Sequence, residues 1–336
     1  MNQIINNVEI IGSGSYVPRA IYANSYLEKI VDTSDSWIQA NLGIRERHIA
    51  SETITTSDLA TWSALNAIEN AGLTVDNIDL IIVATATPDR LAPSTACIVQ
   101  DYIQAYNAVC FDLNAVCSGF LFAMSIAAQL VSDGIYKNAL IIGADTFSRI
   151  TDWTKRDCVY FGDGAGAAVI NWQSSVNSRQ SAVSSHRSTV GSRQLAVHCP
   201  RMAFQLYSDG SGKDNFTVPT NEKFFQMNGH AVYETATSVL PQAINKILQD
   251  LELSINDIDY LIPHQPGIKV LQKMAEVIGL PFEKVLTNMD RYANTAGASI
   301  PLLLDEARRS GKLDNKLVLL AAIGSGWTWG VGIVRF

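Results

Sequence analysis

Residues 73–83 read LTVDNIDLIIV and residues 253–263 read LSINDIDYLIP, and the two align without a gap at a spacing of 180 positions. In each, a turn carrying Asp and Asn precedes a short apolar strand. A second pair follows in the same order. Cys117 opens CSGFLFAMSIAAQLVSDGIYKNALII and Asn294 opens NTAGASIPLLLDEARRSGKLDNKLVLL, 177 positions apart, so that Gly134 matches Gly311 and Asn138 matches Asn315. Each reads as a buried helix, a glycine stop and a strand. Each half then closes on glycine-rich sequence, FGDGAGAAVI at 161–170 and IGSGWTWGVGIV at 323–334. Two ordered matches predict a duplicated α/β chain, with a first half at 1–172 and a second at 173–336. The second repeat resumes near residue 200, and the Ser- and Arg-rich stretch 174–194 is expected to be an exposed connection or edge strand. If the halves pack about a pseudo-twofold axis, Cys117 and Asn294 fall at equivalent helix N-termini facing one cavity. His264 lies just past the strand DYLIP, at the strand end where α/β sheets gather ligands.

Composition narrows the class. The 336 residues are 47% hydrophobic and 17% charged, which supplies a core and argues against disorder. A net charge of −7 argues against nucleic acid as the main partner. The opening MNQIINNVEIIGSGSYVP does not read as a signal peptide, and no apolar run approaches the roughly 18 residues of a membrane span. A cytosolic protein that does not enter the membrane is expected. Cys97, Cys110, Cys117, Cys158 and Cys199 form no CxxC pair and no metal-ligand cluster, so they read as reduced thiols and no metal is expected. GSGS at 12–15 is not a dinucleotide fingerprint, and Pro18 disfavours a helix directly after it. GDGAG at 162–166 runs into an apolar strand and is not a phosphate loop.

Cys117, in DLNAVCSGFLFAMS, lies between an apolar strand and an apolar helix. Unpaired N–H groups and the helix dipole at such a position favour thiolate, and a thiolate can attack a thioester and hold the acyl group. Cys110, before the turn, suits an inert small side chain. His264 and Asn294 taken singly read as a structural histidine and a helix N-cap; the duplication is what brings them to Cys117. Both donate hydrogen bonds without being strong fixed bases, which suits stabilisation of an enolate formed by loss of carbon dioxide from a malonyl thioester. GSG at 324–326 offers backbone N–H groups for an oxyanion hole and reads equally well as tight backbone packing.

These segments resemble one family. GSGSYVP, NSYLEKIVDTSDSWI, GIRERHIA, AVCSGF, FGDGAGA, PHQPGIKV, YANTAGAS, GSGWTWG and the final GIVRF, spread over nearly the whole chain, resemble the β-ketoacyl-acyl carrier protein synthase III group of thiolase-fold condensing enzymes. The resemblance implies a five-layered α-β-α-β-α fold of two duplicated halves and a homodimer. It implies a catalytic triad at Cys117, His264 and Asn294, and an oxyanion hole from the N–H groups of Cys117 and Ser325. Cys117 would be loaded from an acyl thioester, often acyl-CoA, and His264 and Asn294 would support decarboxylation. No cofactor is bound permanently; acyl-CoA and acyl carrier protein thioesters are the expected substrates.

The sequence also departs from the family pattern. Trp37 at the CoA entrance is kept, but Asn41 stands for the usual arginine and Gly267 for an asparagine that contacts pantetheine. Lys269 remains, whereas Glu234, Glu276 and Val277 replace basic residues that help dock an acidic carrier. An expected arginine before FGDGAG falls on Arg156 or Lys155. Ala92 and Tyr233 are expected in the acyl pocket, Ala92 replacing a bulky residue that faces the partner subunit's pocket. The sequence therefore favours a specialised pathway with a larger or unusual acyl donor, or a different carrier, over initiation of fatty-acid synthesis. Two alternatives are an acyltransferase passing the Cys-bound group to an oxygen or nitrogen nucleophile, and an inactive binding subunit of a ketosynthase complex.

Overall fold

The computed structural model describes residues 3–173 and 199–336; the expectation for 174–194 lies outside the described residues. Two five-stranded mixed sheets dominate. In the first, Val8–Tyr16, Asp163–Trp172, Asn138–Thr146, Leu80–Ala84 and Val109–Leu113 lie in that spatial order. In the second the order is Gln3–Ile5, Met202–Ser208, Thr328–Arg335, Leu317–Gly324 and Tyr260–Pro263. In both sheets the strands that follow the two buried helices run parallel to the short apolar strand of the opening motif.

Between the sheets lie two helices, Gly119–Ser132 and Ser299–Arg309. The first is apolar on nearly every side, which is stable only where both faces are covered. It buries Phe120, Leu121, Met124 and Val131 against Ile300, Leu303 and Leu304 of the second and against both sheets. Removing one such side chain, as in Phe120→Ala, costs about 3–5 kcal/mol. Thr56–Asn70 and Thr95–Ile103 cover the outer face of the first sheet, and Gly229–Asp250 and Ile268–Ile278 that of the second. The result is the five-layered, duplicated thiolase-like fold. Among the described residues no helix is long and apolar enough to cross a membrane.

The duplication differs from its sequence alignment at the site. Short 3-10 turns at Val116–Ser118 and Ala296–Ala298 precede the two central helices. Val116 and Ala296 both adopt φ of +48°, and the Val116 N–H donates to Asn114 as the Ala296 N–H donates to Asn294. Asn294 therefore corresponds to Asn114, and Cys117 corresponds to Gly297. The expected equivalence of Cys117 and Asn294 is incorrect because the second helix is shorter, 11 residues against 14. That difference shifts the alignment of everything after it. Asn138 in turn matches Leu317 rather than Asn315: each gives its backbone N–H to the carboxylate of the matching aspartate, Asp79 or Asp259.

The halves are also not self-contained. Gln3–Ile5 leaves the first half to pair antiparallel with Met202–Phe204 at the edge of the second sheet. Among the described residues the first half's edge strand Val109–Leu113 has no full counterpart; the second half keeps a bridge between Leu261 and Val285.

Candidate active site

Cys117 is set by a strained turn. Val116, a β-branched residue at positive φ, costs of order 1–3 kcal/mol and persists only where its surroundings enforce it. The enforcement comes from the Leu317–Gly324 strand and the turn after it. A Cβ on Gly324 would lie 2.5 Å from the Ala115 carbonyl and 3.1 Å from the backbone nitrogens of Cys117 and Ser118, so only glycine allows this approach. Ser118 Oγ donates to the Ala115 carbonyl at 2.8 Å and meets Thr328 Oγ1 at 2.8 Å.

His264 follows the strand Tyr260–Pro263, its backbone N–H donating to Ala321 at 2.8 Å. The ring is buried, with Nδ1 2.8 Å from Ser299 Oγ, which in turn lies 2.8 Å from the Ala296 carbonyl. Ser299 has one proton for two acceptors. Directed to Ala296, it leaves Nδ1–H as donor and a lone pair on Nε2; directed to Nδ1, it puts the hydrogen on Nε2. Asn294 is buried and held on its backbone by Tyr160 and Gly162 at 3.0 Å each. Its Oδ1 accepts the Ala296 N–H at 2.8 Å, which leaves Nδ2 to donate elsewhere.

One cavity is lined by all three of these side chains, together with Ser325, Tyr233 and Trp327. Its electrostatics differ from the sequence expectation. The Cys117 thiol is pushed up, chiefly by burial and further by the Asp145 carboxylate, so the thiolate expected from the helix N-terminus does not prevail. Burial also lowers His264 to about 3 and raises Asp145 to about 6, against the donors Ala86, Gly297, Thr87 and Thr85. The resting pair is a thiol and a neutral imidazole.

Trp37, Asn41, Gly267 and Lys269 line the same cavity. Arg156 does not line it but stacks its guanidinium over Trp37 at 3.9 Å, whereas Lys155 pairs with Asp152 at 3.5 Å. Arg156, not Lys155, is thus the cation beside Trp37. Lys269 Nζ donates to Asn41 Oδ1 at 2.6 Å. Ala92 does not line the cavity: its loop turns outward beside the fully exposed Leu91, and Ala92 is itself exposed. Its expected place, facing the partner subunit's pocket, lies outside this chain's own cavity.

Sequence reading missed an aromatic cluster. Phe147, Phe161, Phe216 and Phe225 are buried together with Cys117 and Val116 packed against them. Phe147 stacks on Phe161 at 4.7 Å and Phe216 on Phe225 at 5.5 Å, with Phe225 edge-on to Phe161 at 4.9 Å. Phe216 and Phe225 come from a short hairpin region without apolar periodicity, so no local signal marked them. Ser299 and Asp145 were missed because their roles arise only through contacts distant in sequence.

Comparison with known proteins agrees with the geometry. Residues 111–190 match the family model described as 3-Oxoacyl-[acyl-carrier-protein (ACP)] synthase III, and residues 248–336 its C-terminal counterpart. A β-ketoacyl-[acyl-carrier-protein] synthase III of Clostridium acetobutylicum is 42% identical over 335 residues, covering 99% of each chain. The crystal structure of 3-oxoacyl-[acyl-carrier-protein] synthase III from Aquifex aeolicus superposes with a TM-score of 0.86 at 37% identity, over 98% of this chain and 100% of that one. The priming β-ketosynthase of the R1128 polyketide pathway gives a TM-score of 0.85 at 26% identity, over 99% and 97%. With whole-length identity at this level joined to the duplicated fold, the chain belongs to the β-ketoacyl-[acyl-carrier-protein] synthase III family of acyltransferases.

Proposed function

We propose that this enzyme loads a short acyl group from an acyl thioester onto Cys117 and joins it by decarboxylative condensation to a malonyl thioester, opening a fatty-acid chain. The observation that carries this reading is the one cavity lined by Cys117, His264 and Asn294. In loading, a bond forms between Cys117 Sγ and the acyl carbon and the thioester C–S bond breaks. Because the thiol is held protonated and the imidazole neutral, the proton moves to His264 Nε2 with the attack and passes on to the departing thiolate. His264 thereby serves loading as well as condensation, where the sequence reading gave it only the second role. In condensation the malonyl carboxylate leaves as carbon dioxide, and its electron pair forms an enolate whose oxygen accepts from Asn294 Nδ2. With the Ser299 proton turned to Nδ1, His264 Nε2–H is a second donor. The enolate carbon then attacks the acyl carbonyl, and Cys117 leaves as thiolate and is reprotonated from solvent. The packing of Gly324 on the Cys117 turn supports the Cys117 and Ser325 N–H groups as oxyanion donors.

A short acyl group is supported by Phe161 and Phe216, which line the cavity with Cys117 and are backed by Phe147 and Phe225, since lengthening the pocket there would require moving packed rings. This reverses the preference for a larger donor. A relative named β-ketoacyl-[acyl-carrier-protein] synthase III at 42% identity also favours initiation over a specialised pathway; the R1128 priming ketosynthase is the more distant likeness. Arg156 on Trp37 and Lys269 support binding of an anionic CoA or carrier thioester at the entrance. A homodimer is supported by the edge strand Val109–Leu113, near which Leu91, Tyr102, Tyr106 and Val109 are exposed.

Intact-protein mass spectrometry after incubation with acyl-CoAs of increasing length, followed by malonyl thioester, tests the reading. Short adducts cleared with release of carbon dioxide, and none on Cys117→Ala, are expected. Adducts with long chains alone, or cleared only by an added alcohol or amine, would overturn it.

A further inference from the structure

Asp145 is buried near the end of strand Asn138–Thr146, and the proposed chemistry gives it no task. Asn138 matches Leu317, and Asp145 and Gly324 each stand seven residues further on. Asp145 therefore faces the Ala296–Ala298 turn as Gly324 faces the Cys117 turn. Gly324 enforces its turn by backbone contact, whereas Asp145 does so with a carboxylate. Its Oδ2 accepts the Gly297 N–H at 2.9 Å. Its Oδ1 accepts the Ala86 N–H at 2.8 Å and the hydroxyls of Thr87 and Thr85 at 2.9 and 3.2 Å. Gly143, two residues earlier on the same face of the strand, grips the turn a second time: a Cβ there would lie 2.2 Å from the Gly297 carbonyl oxygen. The turn held in this way is strained at Ala296, with φ of +48°. The Ala296 N–H is also the group that fixes Asn294 Oδ1. His264 is held from elsewhere, by its own strand and the Ala321 carbonyl.

We infer that Asp145 is a positioning residue for the proposed condensation, on which the inference rests: through Gly297 it holds the Ala296 N–H on Asn294 and so keeps Asn294 Nδ2 aimed at the enolate oxygen. A carboxylate suits the place because donors converge on both of its oxygens. A carboxamide has one acceptor oxygen, so in Asp145→Asn an NH2 group meets either the Gly297 or the Ala86 N–H. The turn then loses one of its two grips, and Asn294 loses its fixed orientation. Loading uses Cys117 and His264 but not Asn294, so it survives the substitution. The lost charge also no longer opposes the Cys117 thiolate. A residue that served the fold alone would slow both steps together.

Single-turnover mass spectrometry of the full-length chain follows acylation of Cys117 by a short acyl-CoA, then carbon dioxide release on addition of a malonyl thioester. Asp145→Asn is expected to acylate at or above the wild-type rate and to condense about 100-fold more slowly. Gly297→Ala sets a methyl group 3.0 Å from Asp145 Oδ2. It strains the same contact from the turn, is expected to show the same split, and carries the test if Asp145→Asn does not fold. Added to Asn294→Ala, Asp145→Asn is expected to slow condensation no further, because it acts through that amide. A folded Asp145→Asn chain that condenses at the wild-type rate, that loses loading and condensation equally, or that slows Asn294→Ala by a further 100-fold or so would overturn the inference. Wild type that is acylated but releases no carbon dioxide would overturn the proposed function and the inference with it.

Discussion

Burial moves the two titratable groups beside Cys117 in opposite directions, and the consequences for stability have opposite signs. His264 sits at about 3 in the folded chain against 6.5 for the free group. Its stability contribution is complete above 6.5 and is lost as pH falls towards 3, because the unfolded chain takes up the proton first. Asp145 sits at about 6 against 3.8, so its contribution is complete below 3.8 and is lost as pH rises through about 6. Thermal melts from pH 4 to 7 should therefore show His264→Gln gaining on wild type as pH falls, and Asp145→Asn gaining on wild type as pH rises. Difference curves independent of pH would mean that neither group is perturbed by folding. The identity of the three cavity residues was legible in the sequence, since AVCSGF, PHQPG and YANTAGAS carry a thiol, a ring and an amide at strand or helix ends. Their protonation was not. A local helix-dipole argument gave a thiolate, whereas the deciding forces are burial by both halves and a carboxylate that arrives from another strand.

A single turn, built twice, governs the elements around the site. Gly324 keeps the Cys117 copy in register by direct backbone contact. Gly324→Ala places a methyl group 2.5 Å from the Ala115 carbonyl. Displacing the nucleophile by as little as 1 Å is expected to slow Cys117 acylation about 100-fold, measured by single-turnover mass spectrometry, with far-UV circular dichroism unchanged. Acylation at the wild-type rate would show that the turn does not depend on this contact. The repeats themselves were visible because each 3-10 turn and strand needs the same pattern of capping and apolar residues: Thr74 with Asn77 recurs as Ser254 with Asp257. The error in matching Cys117 to Asn294 has an equally physical origin. A central helix can lose nearly a turn without exposing its core face, and glycine stops still end both helices, so the alignment slips where no residue announces it.

Over the whole molecule, the cavity at Cys117 joins parts of both halves, lined by Phe161 from the first and Phe216 from the second, with Phe147 and Phe225 packed behind them. No window of sequence shows such a cavity, so the sequence argued pocket size from the single residue Ala92. Phe225→Ala, which opens the cluster without touching Cys117 chemistry, is expected to raise kcat/KM for longer acyl-CoAs about tenfold relative to short ones, in a coupled malonyl condensation assay. An unchanged ratio would assign chain-length control to other residues. The layered fold was legible because alternating strands and helices repeat at nearly constant spacing; the crossing of Gln3–Ile5 into the far sheet was not, since a three-residue strand carries no directional signal. That crossing bears on how the chain is made. On the ribosome Gln3–Ile5 has no partner until Met202–Phe204 has been translated. A strand made well before its partner is thus seated late, and nascent chains halted before Met202 should leave Gln3–Ile5 open to protease.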